Sequence, residues 1–250
     1  MNFPLPTSTT TDERSRAAKV AVLPVGSFEQ HGSHLPLSTD TLMASGISEA
    51  LARAYDLLLL PPITIACSHE HAGWPGTVSI RSQTLNLVIS DIAASLQESG
   101  VEQLVVVNGH GGNYVLANVV QEANTGPAPR MALFPRREDW EHARAVAELA
   151  STGHEDMHAG EIETSVLLYL WPEVVRDGYQ QADHVAERPH LLVRGLGAYT
   201  PTGVVGRPSL GTPEKGKAVL EALTASFAET LQVLQGDGAS GPVRSEPGND

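Results

Sequence analysis

Apolar residues follow two rhythms along this chain of 250 residues. Short unbroken runs, several of them β-branched, alternate with longer stretches in which apolar positions recur every three or four residues. "KVAVLPV" (19–25), "LLLLPPITI" (57–65), "QLVVVN" (103–108) and "MALF" (131–134) are of the first kind and predict strands. The second kind predicts helices over Thr41–Tyr55, with Asp40 as its cap, and over Leu85–Glu98, ending at Gly100. Further helices are expected from about Asn113, over Glu138–Ala150, from about Ala159 to Leu170 before Pro172, and over Glu214–Leu234. Strands alternating with helices imply an α/β fold: a mostly parallel sheet, buried on both faces. One domain over 18–235 is expected, between flexible segments at 1–17 and 236–250. Residues 176–213, rich in Gly and Pro, predict loop with short strands.

Composition narrows the function. With 29 acidic against 16 basic residues the net charge is −13, and no Lys/Arg cluster offsets it locally. Such a surface repels phosphate backbones, which argues against nucleic acid as a partner. No apolar run approaches the ~20 residues of a membrane span. The polar N-terminus lacks the charged-then-apolar order of a secretory signal. Cys67 is the single cysteine, so neither an intrachain disulfide nor a cysteine-based zinc motif can form. A cytoplasmic protein is expected.

The candidate chemistry collects just beyond the strands, where active sites of open α/β sheets lie. The first strand runs into "GSFEQHGSHLPLSTD", with Glu29, His31, His34 and Asp40; the third runs into "NGHGGN", with His110. Glu29 and His31, two apart in extended chain, point the same way. Carboxylates and imidazoles together suit Zn²⁺, Mn²⁺ or Fe²⁺. "NGHGGN" is neither a dinucleotide fingerprint nor a P-loop, and its glycines instead let backbone pass close to a metal centre. In "GHEDMHAGEIETS" (153–165), a helix starting near His158 would carry Glu161 at i+3 on the same face and Glu163 roughly 140° away. Glu161 is therefore expected in the site and Glu163 behind it. His154, Glu155 and Asp156 suit equally a solvated helix start. "SHEHAGWPGTVSI" (68–80), with Ser68, His71 and Trp74, is expected to face the substrate.

Taken in order, "LPVGSFEQHGSHLPLSTDT", "SHEHAGWPGTVSI", "NGHGGN" and "HAGEIETS" resemble the signature segments of the creatininase family over roughly residues 19–170. The resemblance implies a three-layer α/β/α fold, two divalent metals per subunit, hydrolysis of a C–N bond in a small amide or short peptide, and a homo-oligomer, commonly a hexamer. It implies Glu29, His31, Asp40 and His110 as metal ligands, with Asp40 bridging, and His158 as the histidine that moves protons. Creatininase itself has a Tyr and a metal-binding Glu where this chain has Gly111 and Gly112, which speaks against creatinine as substrate. In this reading Glu161 replaces the missing ligand, and Ser68, His71, Trp74 and His154 contact substrate. The resemblance also admits a mycofactocin-type maturation peptidase, a formylamino-pyrimidine deformylase or a C–C hydrolase of a sugar-like ketone. A metal-stabilised binding protein without turnover is the alternative from another class.

Overall fold

The computed structural model describes residues 5–236, and their elements follow the predicted alternation closely. In chain order they are α1 (Thr10–Arg16), β1 (Val20–Val25), α2 (Thr39–Tyr55), β2 (Leu58–Leu59), α3 (Ser82–Glu98), β3 (Gln103–Asn108), α4 (Val115–Ala123), β4 (Met131–Phe134), α5 (Arg137–Val146), α6 (Glu161–Leu170), α7 (Leu191–Arg194) and α8 (Pro213–Gln235). The four strands form one parallel sheet in the order β2-β1-β3-β4. Alternate strand residues feed opposite faces. Val20, Val22, Val105, Val107 and Phe134 pack against α2, α5, α6 and α8. Ala21, Leu23, Val25, Leu104 and Val106 pack against α3 and α4. This is the expected three-layer α/β/α arrangement. No helix among the described residues is long and apolar enough to cross a membrane.

Three expectations need correction. The segment 1–17 contains α1, closed by a capping box in which Thr9 and Asp12 satisfy each other's backbone amides. The second apolar run pairs as a strand only at Leu58–Leu59, with one further bridge from Ile63 to Val25, because Pro61 and Pro62 lack the amide a ladder needs. Asp40 does not cap α2, which begins at Thr39 behind Ser38; its carboxylate turns inward instead. The expected tail lies outside the described residues apart from Gly236, which closes α8 in the left-handed conformation.

Two glycines set the height of α2 above the sheet. Gly26 follows β1, and a Cβ there would overlap the backbone of Thr41. Gly109 follows β3, and a Cβ there would overlap the backbone carbonyl of Asp40. The strand ends themselves are tied together by Gly109 N–H donating to Val25 O at 2.9 Å. The first turn of α2 thus rests directly on two adjacent strand ends, with Asp40 between them. Because the obstructing atoms are backbone, Gly109→Ala should lift the helix and cost about 1–3 kcal/mol. Urea unfolding checks this: the midpoint should fall with the slope unchanged.

Candidate metal centre

Segments that leave two adjacent strands meet in one buried cluster. Glu29 and His31 follow β1, Asp40 sits in the first turn of α2, His110 follows β3, His71 ends the short 3-10 turn His69–His71, and His158 comes from a loop. All six are buried. The backbone bridge between Phe28 and Val78 holds the 68–80 segment against Glu29, and a second bridge, His158 to Val205, holds His158 in extended chain. Asp40 lies at the centre, with Oδ1 3.2 Å from His31 Nε2 and Oδ2 3.0 Å from His110 Nδ1. Ser27 Oγ donates to Oδ2 at 2.5 Å. Glu29 faces His71 Nε2 at 3.1 Å, His110 Nε2 at 3.2 Å and His158 Nδ1 at 3.8 Å.

Among the described residues, three sets of side chains come close enough to share a cation: Glu29, Asp40 and His110; His31, Asp40 and Glu163; and Glu29, His31 and His158. Both oxygens of Glu29 are buried without a hydrogen-bond partner. A carboxylate stripped of water and left unbonded is costly unless a cation meets it, so the donor set fits divalent metal. The rings are pre-aimed by the main chain: His31 Nδ1 lies 3.0 Å from Glu29 O, His110 Nε2 2.8 Å from Cys67 O, and His158 Nε2 2.6 Å from Gln30 O. Each carbonyl takes one ring N–H and leaves the other nitrogen for the cluster.

The electrostatics are those of an acid-rich pocket. Burial, reinforced by the negative charge of Asp40, pushes Glu29 up to about 8. Burial opposes charge on His31, yet Asp40 raises it to about 9. Burial lifts Glu163 to about 7. Despite its burial Asp40 stays well below the usual carboxylate range, held there by His31 and His110. Burial lowers His71 to about 4, and burial with His31 and His71 lowers His158 well below the ordinary histidine value.

The expected division between Glu161 and Glu163 is reversed in the structure. His158 is extended, and α6 begins only at Glu161, so the helical phase assumed from His158 does not exist. Glu161, in the first turn, turns away: its oxygens accept from the amides of Ala150 (3.1 Å) and Ser151 (2.8 Å) and from Lys215 Nζ (2.6 Å). Glu163, two residues further on and so on the far side of the helix, accepts from Ala159 N–H at 2.6 Å and groups with His31 and Asp40. His154 is exposed and paired with Glu187 at 3.1 Å, away from the cluster. Asp156, for which a solvated helix start is one of two even readings, is buried: it caps α6 by accepting from Glu161 and Ile162 amides and meets Arg144 at 3.0 Å. Ser68 is buried, with its hydroxyl unbonded. Trp74 is half-buried, its indole nitrogen beside Gly197.

Two neighbours escaped the sequence reading because only the fold brings them in. Glu70 Oε1 lies 3.4 Å from His110 Nε2 and fills the space at Gly112, where a Cβ would overlap it. Gln30, between two candidate ligands, was hidden by its own neutrality.

The sequence model of the creatininase family, described as creatinine amidohydrolase, matches residues 6–231. The chain belongs to the creatininase family. A mycofactocin precursor peptide peptidase of Mycobacterium ulcerans is 34% identical over 92% of this chain and 86% of its own. The creatinine amidohydrolase of Pseudomonas putida is 27% identical over 85% and 88% respectively. A solved manganese form of creatininase superposes with a TM-score of 0.76 at 22% identity, covering 90% of this chain and 95% of its own, a likeness of fold. This member of the family is a hydrolase with a candidate metal centre at its strand ends.

Two measurements test the centre. Metal ligands bind deprotonated, so Mn²⁺ binding at pH 7 must expel protons from Glu29, His31, His110 and part of Glu163. Titration calorimetry in buffers of different ionisation enthalpy should show that release shrinking as pH rises through 8 to 9. Glu163→Gln should weaken metal binding about 10-fold or more, whereas Glu161→Gln should keep it and lose about 1–3 kcal/mol of stability, because an NH₂ replaces one of the two oxygens that accept from Ala150, Ser151 and Lys215, and Lys215 loses its counter-charge.

Proposed function

We propose that the protein is a dinuclear metal-dependent amide hydrolase acting on a short peptide. The observation that carries the reading is the sharing of Asp40 by two ligand sets, Glu29 and His110 on one side and His31 and Glu163 on the other. Zn²⁺, Mn²⁺ or Fe²⁺ held there would supply Lewis acidity to a carbonyl oxygen and acidify an attacking water. The residues supply the rest. Glu29, fully buried, would anchor one ligand set, and Asp40 is common to both. His158 is kept neutral by its burial, and with Nε2–H committed to Gln30 O its Nδ1 is the nitrogen open to the cluster. That nitrogen accepts the proton of the attacking water and returns it to the leaving amine, so that a C–O bond replaces the C–N bond and one water is consumed. Ser68, whose buried hydroxyl has no hydrogen-bond partner, would orient substrate.

A peptide is favoured over creatinine on two grounds. The greater identity is to a peptide peptidase. And Gly111 has open space around it, while Glu70 occupies the place at Gly112. A homo-oligomer belongs to the same reading, supported by the family resemblance.

Assay of the Mn²⁺- or Zn²⁺-loaded protein on short peptides, formamides and creatinine tests the substrate class. Peptide cleavage lost to chelators, with creatinine untouched, is expected; creatinine turnover alone would overturn it. His158→Ala should retain metal and lower kcat by about 10²–10⁴-fold. If the variant loses a metal, His158 is a ligand.

A further inference from the structure

His71 is wired differently from the other histidines of the cluster. Rings His31, His110 and His158 each place one nitrogen against a main-chain carbonyl. His71 places Nδ1 against the side-chain amide of Gln30, 3.0 Å from Nε2 of that amide. The chemistry of the contact depends on which end of the amide faces the ring, and two backbone groups decide it. Gly32 N–H donates to Gln30 Oε1 at 3.0 Å, and Gln30 Nε2 donates to Gly203 O at 3.1 Å. Turning the amide over would set oxygen against oxygen at Gly203 and N–H against N–H at Gly32. Gly203 has a φ of +86°, and a Cβ there would overlap Gln30, so the clamp also depends on glycine at that position.

The amide therefore presents a donor to His71. One of its two protons goes to Gly203 O and the other to His71 Nδ1, which must accept. His158 Nε2, 3.2 Å from the same amide nitrogen, is itself a donor committed to Gln30 O.

We propose that Gln30 is a positioning residue that fixes His71 as the tautomer protonated on Nε2, the nitrogen 3.1 Å from Glu29 Oε1. His71 is then a proton donor at the edge of the centre and not a metal ligand, although its distance to Glu29 matches that of His110. This holds whichever C–N bond the enzyme cleaves, because it concerns the free ring.

The test is NMR of the zinc-loaded protein, labelled with ¹⁵N-histidine, using long-range ¹H–¹⁵N correlations that distinguish the two tautomers. The His71 peaks are assigned by their loss in His71→Ala. Wild type should give the Nε2–H pattern at His71. Gln30→Glu presents an acceptor in place of the donor and should move the ring proton to Nδ1, with His158 still protonated on Nε2 because its partner is main chain. Should that variant not fold, Gln30→Met, which removes the donor without adding an acceptor, should lose the uniform Nε2–H pattern. A wild-type His71 protonated on Nδ1 or coordinated to zinc overturns the assignment. So does an unchanged Nε2–H pattern in the folded variants.

Discussion

The contact between the first turn of α2 and the ends of β1 and β3 organises everything above the sheet. Parallel strands end at one level, and a helix that follows β1 normally stands off by the thickness of its side chains. Here Gly26 and Gly109 remove that thickness. Asp40 consequently enters at the level of the strand ends, within reach of residues that leave both strands. The positive end of the helix also favours the carboxylate there. Without this seating, Glu29 and His110 would belong to two separate loops.

Once gathered, the cluster is an electrostatic problem that the chain alone solves only in part. Glu29, Asp40 and Glu163 are brought together out of water, and the protonated rings His31 and His110 offset them. The raised values of Glu29 and Glu163 mark the remainder, carboxyls kept neutral for want of positive charge. A divalent cation supplies what is missing, and the rings it would meet are already turned by main-chain carbonyls. The site is thus pre-organised in orientation and incomplete in charge.

How much of this could be read in the residues depends on whether the information is local. The β-branched run 103–108 and the loop after 19–25 carried the sheet and four of the ligand candidates, because strand ends and ligand spacing are local properties. The Glu161/Glu163 choice failed because helical phase was counted from His158, whereas the bridge to Val205, 47 residues later, keeps His158 extended and delays the helix. Asp156 stays undecided in the sequence for a similar reason: a capping role five residues before the helix start has no periodic signature. Glu70 and Gln30 became visible only in three dimensions, one through the space it fills at Gly112 and the other through its four backbone and ring partners.

The gap at Gly112 has a consequence for how such a centre can change over evolutionary time. Glu70 and a side chain at 112 compete for one volume, though they sit on loops that follow different strands. A carboxylate can be delivered to this place from either loop, but not from both. A side chain at 112 meets only the far ends of Glu70 and His110, so admitting one requires Glu70 to swing out of the space it now fills beside His110. Changes at 70 and 112 are therefore coupled through one shared space, although the two residues are 42 apart in sequence.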